Sequence, residues 1–382
     1  MLTEETKSII KATIPVLEEH GDEITTAFYK HMFEEHPELL NIFNKTNQKL
    51  GRQQTALAQT VIAAAKHIDH LEAIIPNVNQ IAHKHRALQI KEEHYPIVGE
   101  NLIWAIQHVL GDAATPEIVD AWTKTYGVIA DVFIQMEKAL YEEEEWADFK
   151  PFKVVAINDE STDIKSFTVQ SDEIKVQPIK AGQYITVKVH PEGEENDMLR
   201  HYSICSVDTT DGIKFAVKRD VAGSEKGMVS NYLHDTVKVG DEILLSAPAG
   251  EFTVDAEQDK SIVLISGGVG MTPIMAMLED EAAKGRDIKF IHSAYNSEAV
   301  PFKAEIKKHH NQDNVQFYFN YSETAGRLNK EKLADIMNGN EEIYMCGSVA
   351  FMEAMLAVFN EMNIDRSKVH FEPFGPKMSI TI

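Results

Sequence analysis

Hydrophobic residues in the first 147 positions recur every three or four residues, the spacing of one face of an α-helix. Four stripes carry this spacing: Ile10, Ile14 and Leu17; Ile24, Phe28 and Met32; Leu102, Ile103, Ile106, Val109 and Leu110; and Trp122, Tyr126, Ile129, Ala130, Phe133 and Leu140. Thr3, followed by Glu4 and Glu5, is typical of a helix start. The pattern predicts an all-α domain over residues 1–147.

The pattern changes after the stretch "EEEEWADFKPFKVV". We interpret the acid run Glu142 to Glu145 as a solvated helix end, and Pro151 as the residue that ends the helix at a domain boundary. Short alternating runs follow, separated by Gly, Asp and Pro turns: "FKVVAI", "IKSFTVQ", "YITVKV" and "IKFAVK". This alternation predicts an antiparallel β-barrel or sandwich over residues 148–258.

The last segment, residues 259–382, alternates strands with helices. The apolar runs "SIVLISGG", "IKFIHSAY", "VQFYFNY" and "EIYMCG" have the texture of buried strands, and "TPIMAMLEDEAAK" and "VAFMEAMLAVFNEM" that of helices. Strands alternating with helices predict an α/β domain with a parallel sheet and helices on both faces. The expected fold is therefore multi-domain, all-α, then all-β, then α/β.

Length and composition narrow the classes of protein. A chain of 382 residues is too long for one ordinary core. A net charge of −23 argues against nucleic-acid and anionic-membrane partners, and no apolar run reaches the ~18 residues of a membrane helix. The N-terminus lacks a signal-peptide pattern. Cys205 and Cys346 have no CxxC spacing, which excludes a disulfide framework and favours the reducing cytoplasm.

The turn "ISGGVGMTP" is a candidate pyrophosphate site. Gly267, Gly268 and Gly270 stand between a strand and a helix, where the backbone can approach phosphate at a helix N-terminus. Pro273 occupies the place of the usual third glycine, so a tight turn without a ligand is the alternative. The turn "YMCG" is expected at the same sheet edge, with Cys346 as a packing residue rather than a reactive thiol.

The middle segment has a second candidate site in "LRHYSICS". Arg200 can pair with phosphate oxygens, Tyr202 can lie against a planar ring, and Ser203 can hydrogen-bond the edge of that ring. "GQYI" with Tyr184 precedes this stretch, and "KGMVSNYLH" follows it. Ordinary strand and turn residues are the alternative interpretation.

The motifs "RHYS", "KGMVSNYLH", "GGVGMTP", "YMCG" and "FEPFG" occur in the order of the ferredoxin-reductase-type flavoprotein module, which this part of the chain resembles. The resemblance implies an FAD site at Tyr184, Arg200, His201, Tyr202, Ser203, Gly227, Val229 and Ser230. It implies an NAD(P)H site at Gly267, Gly268, Val269, Gly270, Met271 and Thr272. The terminal residues Glu372, Pro373, Phe374, Gly375 and Pro376 would also lie at the cofactors, with Phe374 over the flavin ring.

The helical domain resembles the globin of flavohaemoglobins, in the stretches "TAFYKHMFEEHPELLNIF", "GRQQTALAQ" and "IAHKHRALQIKEEHYPIVGENL". The chain is identified as a member of that family on all three domains. The resemblance implies that His85 binds the haem iron, and we interpret His83 and His94 as surface residues. Phe28, Phe43 and Leu57 would keep the haem pocket apolar. Lys84 and Glu372 match positions that tune electron transfer in the family.

Glu137 continues the stripe of Tyr126, Ala130 and Phe133. Either it lies in water at the edge of that stripe, or it is buried and accepts the Nδ1 proton of His85, with Tyr95 binding both. The resemblance supports this triad. On the other side of the haem, the resemblance implies that Tyr29 donates a hydrogen bond to O₂, and Gln53 would add a second.

The family's activity is nitric oxide dioxygenation, and the resemblance implies it here: NO and O₂ become nitrate with electrons from NADH or NADPH, through FAD, to haem b. Two alternatives remain, an NAD(P)H oxidase or alkylhydroperoxide reductase, and an oxygen-sensing or oxygen-storing globin. O₂, NO and NAD(P)H are the expected partners, without stable membrane insertion, and the oligomeric state stays open. The choice between NADH and NADPH stays open.

Overall fold

The structure is a computed structural model that describes residues 2–43, 52–221, 227–255, 257 and 260–374, with only the backbone for residues 52–56. The N-terminal segment is helical, as predicted. Its α-helices are α1 (Glu4–Glu35), α2 (Arg52–Lys66), α3 (Ile75–Ala87), α4 (His94–Leu110) and α5 (Pro116–Glu142). Short 3₁₀ turns connect them at Pro37–Asn41, Leu71–Ile74 and Gly111–Ala113.

Helix α1 joins the first two hydrophobic stripes of the sequence in one helix of 32 residues. Thr3 caps it as predicted, because its side chain accepts a hydrogen bond from the backbone nitrogen of Thr6 at 3.1 Å. The buried face of α1 packs on α4 and α5 in one hydrophobic cluster whose members include Ile10, Leu17, Ile24, Phe28, Met32, Leu102, Ile106 and Trp122.

The boundary after α5 differs from the sequence interpretation in two ways. Helix α5 ends at Glu142, and Pro151 lies inside strand β1 (Lys150–Asp159) rather than ending the helix. The acid run is not uniformly solvated either, since the side chain of Glu144 is only 6% exposed and lies against Arg86. A charged run in a sequence carries no sign of a distant arginine that covers one of its members.

The middle segment is an antiparallel barrel. Strand β1 is followed by β2 (Ile164–Gln170), β3 (Tyr184–Val189), β4 (Met198–Ser203), β5 (Ile213–Lys218) and β6 (Glu242–Leu245), and α6 (Met228–Asp235) lies between the last two. The strands pair in the order β4-β3-β6-β1-β2-β5. A bridge between Ile204, just after β4, and Phe215 in β5 joins the two ends of this order and closes the barrel.

The last segment is the predicted α/β domain. Its strands are β7 (Ile262–Gly267), β8 (Ile288–Ala294), β9 (Val315–Tyr321), β10 (Glu342–Gly347) and β11 (Val369–Pro373), all parallel, in the order β11-β10-β7-β8-β9. Its helices are α7 (Met271–Ala283), α8 (Lys303–His309), α9 (Ser322–Ala325), α10 (Lys330–Ala334) and α11 (Val349–Glu361). The strand order changes direction between β7 and β10, where open α/β sheets bind ligands.

The chain divides into two compact units. The first contains Met1–Asp148 together with His190–Leu199, and the second contains Phe149–Val189 and Arg200–Ile382. The barrel and the α/β domain thus belong to one unit and share a continuous hydrophobic cluster. Among the described residues, no helix is long and apolar enough to cross a membrane.

Candidate functional site

The candidate haem site is centred on His85 in the last turn of α3. Its Nδ1 lies 2.7 Å from Oε1 of Glu137, and the hydroxyl of Tyr95 donates to the same oxygen at 2.6 Å. Glu137 follows Phe133 by one helical turn of α5, so both side chains face α3. The predicted contact is present, and the alternative of a solvated Glu137 is wrong because its side chain is 3% exposed.

The buried Glu137 carboxylate has the partners that burial demands. It accepts hydrogen bonds from Nδ1 of His85 and from the hydroxyl of Tyr95, which offset part of its desolvation. Burial, and then the charge of Glu137, raise the pKa of Tyr95, so this hydroxyl stays a donor. The hydroxyl of Tyr126 holds the backbone of Tyr95 through a 2.6 Å bond to its carbonyl. No pattern in the sequence indicates this last contact.

The hydrogen bond at Nδ1 assigns the proton to that atom and leaves Nε2 as an acceptor. Within the described residues, no hydrogen-bond partner reaches Nε2 of His85, and the side chain keeps 30% of its surface exposed. The ring of Phe133 lies 5.7 Å from the imidazole and limits its rotation. A neutral imidazole with a fixed Nδ1 proton is the form that binds a metal through Nε2.

The expected distal residues form an aromatic group at the end of α1. Rings of Phe28, Phe33 and Phe43 lie 4.8, 5.9 and 5.8 Å from the ring of Tyr29. Burial raises the pKa of Tyr29, so its hydroxyl remains a donor. Leu57 packs against the same cluster. The role of Phe33 was missed, although it follows Tyr29 by one helical turn.

The structure also shows how far Lys84 and two further histidines of the globin segment are exposed. The side chain of Gln53 lies outside the described residues, and Lys84 is half-buried. His83 and His94 were expected at the surface, and both are only partly exposed. His94 accepts a hydrogen bond from the backbone nitrogen of Lys91 at 2.9 Å, and burial lowers its pKa. His94 is thus part of the turn before α4, a local role that leaves no pattern in sequence.

Strand β4 carries the candidate flavin residues. Arg200 and Tyr202 alternate with His201 and Ser203, so each pair faces one side of the strand. Tyr202 stacks on Phe215 at 5.7 Å, and Nδ1 of His201 lies 2.8 Å from Oγ1 of Thr186. Burial lowers the pKa of Arg200, although an arginine stays charged at neutral pH. The ring of Tyr184 lies 4.9 Å from that of His201.

The start of α6 holds the other expected flavin residues. Val229 and Ser230 are buried in its first turn, after Gly227. The hydroxyl of Ser230 donates to the carbonyl of Gly227 at 3.0 Å and accepts from the backbone nitrogen of Asp220 at 3.2 Å. This hydroxyl therefore holds the start of α6 through contacts within the protein.

The glycine turn before α7 is shaped by close packing and by backbone conformation. A Cβ on Gly270 would lie 2.2 Å from the carbonyl oxygen of Cys346, so this glycine lets the turn approach β10. Gly268 has φ +55° and open space around its missing Cβ. Val269 accepts a bond from Thr272, whose side chain is buried like that of Met271. The "YMCG" turn lies at the same sheet edge, as expected.

The C-terminal segment contains β11, the edge strand that pairs with β10. Cys346 is a buried thiol that donates to the carbonyl of Glu372 at 3.0 Å, and burial raises its pKa, as expected for a packing residue. Phe374 is 41% exposed, and its backbone nitrogen donates to Gly347. Glu372 is half-buried, and only the backbone of Pro373 is described. Gly375 and Pro376 lie outside the described residues.

Comparisons with known proteins match each part of the chain. The globin family matches residues 26–133, the oxidoreductase FAD-binding domain residues 151–254, and the oxidoreductase NAD-binding domain residues 264–356. The FAD/NAD-binding domain of a nitric oxide dioxygenase from Vibrio cholerae is 31% identical, with a TM-score of 0.55, over 60% of this chain and 100% of that one.

Two relatives match along the whole length. A flavohemoglobin from Malassezia yamatoensis, solved with bound FAD and haem, has a TM-score of 0.90 at 27% identity, over 98% of this chain and 100% of that one. The flavohemoprotein of Bacillus subtilis is 44% identical over 100% of this chain and 99% of that protein. With a globin, an FAD-binding domain and an NAD-binding domain in this order, the chain belongs to the flavohemoprotein family.

Proposed function

We propose that this chain is a nitric oxide dioxygenase, which combines NO with O₂ to give nitrate using electrons from NADH or NADPH. The observation that carries the proposal is the His85–Glu137–Tyr95 arrangement in a globin that shares one chain with a flavin reductase module. The similar FAD/NAD-binding domain from Vibrio cholerae belongs to a nitric oxide dioxygenase. FAD bound to the barrel would supply the conversion of hydride into single electrons, and haem b held by the globin would supply O₂ binding.

On the proximal side, we assign the iron ligand to Nε2 of His85. Glu137 holds the Nδ1 proton at 2.7 Å and so makes the imidazole a stronger donor to a metal. Tyr95, a donor to the same carboxylate oxygen, keeps Glu137 oriented. An oxygen store does not need so electron-rich a ligand, whereas a catalyst that activates O₂ does.

On the distal side, we assign to Tyr29 the donation of a hydrogen bond to O₂. Its neighbours Phe28, Phe33 and Phe43 exclude water from the pocket, which strengthens a hydrogen bond made there. Leu57 completes the apolar wall, and Gln53 stays a proposed second donor.

For the reductase, we assign FAD to β4 and the start of α6, through Tyr184, Arg200, His201, Tyr202, Ser203, Gly227, Val229 and Ser230. NAD(P)H is assigned to the turn Gly267–Thr272, where the backbone nitrogens at the start of α7 suit a pyrophosphate. Glu372 to Pro376 stay assigned to the cofactor site, with Phe374 over the flavin. Lys84 and Glu372 stay proposed as residues that tune electron transfer.

We further propose domains at residues 1–147, 148–258 and 259–382, which agree with the family matches and with the gap between β6 and β7. The cytoplasm is the proposed location, because Cys205 and Cys346 are both free thiols, the form that a reducing compartment maintains.

The decisive experiment measures nitrate formed per NO consumed by the haem- and FAD-loaded protein under air with NADH. A yield near one nitrate per NO supports the proposal. Rapid NADH oxidation with little nitrate would instead assign an NAD(P)H oxidase.

His85→Ala should abolish nitrate formation and haem binding while FAD is retained, and added imidazole should restore haem. The matched control is His83→Ala, which changes a half-buried histidine two residues away in the same helix. This variant should keep haem, because His83 is not the proposed ligand.

A further inference from the structure

A buried ion pair lies one residue beyond the proposed haem ligand. Nη1 of Arg86 lies 3.8 Å from Oε2 of Glu144, and the two side chains are 5% and 6% exposed. Gln89 connects them, because its Nε2 donates to the carbonyl of Arg86 at 3.0 Å and to Oε2 of Glu144 at 3.4 Å. Burial raises the pKa of Glu144 and the charge of Arg86 opposes that shift, so desolvation dominates at this carboxylate.

A second set of contacts extends this pair. Nζ of Lys91 donates to Oε1 of Gln89 at 2.7 Å and lies 3.1 Å from Oδ1 of Asp148. The hydroxyl of Tyr141 donates to the carbonyl of Ile90 at 2.5 Å. The turn after α3 is thereby tied to the segment after α5. We name Arg86, Gln89, Lys91, Glu144 and Asp148 the proximal clamp.

Stability alone does not explain the proximal clamp. A buried ion pair costs several kcal/mol in desolvation for each ion, and apolar residues of similar volume often give equal or greater stability. Gln89 and Asp148 add backbone strain, with φ +61° and +58° in the left-handed region. An arrangement of this kind specifies one local conformation of the protein, because each charged side chain reaches its partner from only a few positions.

The position of the proximal clamp indicates which geometry it specifies. At one end, Arg86 follows His85 directly in α3. At the other end, Asp148 is the residue before Phe149, where the second compact unit begins. The clamp therefore joins the helix turn that carries the proposed iron ligand to the chain segment that leads into the reductase.

We propose that the proximal clamp is a positioning device that sets the orientation of the His85 imidazole and, through it, the rate at which the haem accepts electrons. This inference rests on the proposed function, since it takes His85 as the haem ligand. Arg86 and Glu144 act through His85 and are positioning residues. Mutation of groups that orient a metal ligand typically costs roughly ten- to a hundredfold in metal affinity or activity.

The test uses the haem- and FAD-loaded full chain in three forms: wild type, Glu144→Gln, and the double variant Arg86→Met with Glu144→Met. Rapid mixing with NADH without O₂ gives the rates of flavin reduction and haem reduction, with CO trapping the reduced haem. Resonance Raman spectroscopy gives the iron–histidine stretching frequency. In the double variant we expect flavin reduction at the wild-type rate, haem reduction about tenfold slower, and a shifted iron–histidine frequency.

The double variant decides the outcome because it removes both charges of the buried pair together, even where Glu144→Gln unfolds. Unchanged haem reduction, or an unchanged iron–histidine frequency, in the folded double variant overturns the proposal. Equal slowing of flavin and haem reduction also overturns it, because that pattern reports general damage. The matched control is Asp120→Asn, which removes an exposed ion pair with Lys124 on α5 and should change nothing. A wild type without an iron–histidine band would instead contradict His85 as the ligand.

Discussion

We propose that the Tyr29 hydroxyl, as a hydrogen-bond donor to O₂, distinguishes a dioxygenase from an oxygen carrier that releases O₂ rapidly. Tyr29→Phe keeps the ring among Phe28, Phe33 and Phe43 and deletes only the donor. A lost charge-assisted hydrogen bond costs roughly 1.5–3 kcal/mol, so O₂ should dissociate about ten- to a hundredfold faster. Nitrate formation should fall most at low oxygen, while flavin reduction by NADH stays normal. Stopped-flow O₂ dissociation is the measurement, and an unchanged rate would transfer the distal role to Gln53.

His292 in β8 is a residue whose effect depends on pH. It is fully buried, its Nδ1 lies 2.8 Å from Oγ of Ser266, and burial lowers its pKa to about 3. The unfolded chain protonates histidine near pH 6.5. The stability that comes from a neutral His292 is therefore complete above that pH and is lost as the pH falls towards 3, by at most about 1.4 kcal/mol per pH unit.

The corresponding variant is His292→Gln, which can still bind Ser266 but does not titrate. Between pH 7 and pH 5, the temperature of flavin release should fall more in wild type than in the variant. Flavin fluorescence is the suitable signal, because His292 and the proposed flavin site belong to the second unit. Tryptophan fluorescence would report on the first unit, which contains Trp104, Trp122 and Trp146. Equal losses in the two proteins would contradict the burial argument for His292.

At the scale of elements, two glycine variants in the turn before α7 distinguish a packing role from a ligand-binding role. A methyl group on Gly270 would meet the backbone of Cys346, so Gly270→Ala should lower the flavin-release temperature even without NADH. Gly268 has open space, so Gly268→Ala adds only the strain of its +55° φ, about 1 kcal/mol. If a pyrophosphate approaches here, Gly268→Ala should raise the NADH concentration needed for half-maximal flavin reduction. An unchanged concentration would favour a tight turn without a ligand.

Periodicity predicted the long helices α1, α4 and α5, because each buries one continuous face, and Glu137 was found because it extends the stripe that includes Phe133. Continuous apolar runs predicted the strands β7 to β10, because strands of a parallel sheet are covered on both faces. The strands β4, β6 and β11 were missed, because β4 carries polar side chains and β6 and β11 are only four and five residues long. The pairing of Arg86 with Glu144 joins residues far apart in sequence, and no local pattern encodes it.

At the scale of the molecule, the barrel and the α/β domain are held together as one body. One hydrophobic cluster contains barrel residues such as Ile164 and Phe252 together with Leu264 and Phe302 of the α/β domain. Lys214 of the barrel adds an ionic contact, with Nζ 2.6 Å from Glu305. Because the two domains share these contacts, a destabilising substitution in the α/β domain should also lower the temperature at which the barrel releases flavin.

That coupling predicts the behaviour of two core variants. Leu264→Ala opens a cavity in the shared cluster, which costs about 2–5 kcal/mol, and should lower the flavin-release temperature by roughly 5–15 °C although Leu264 lies on a strand of the α/β domain. The matched variant Leu102→Ala makes a cavity in the helical core and should lower the tryptophan transition instead. The measurement is one thermal scan with both fluorescence signals. Leu264→Ala with normal flavin release but lost NADH binding would mean that the two domains of the reductase unfold independently.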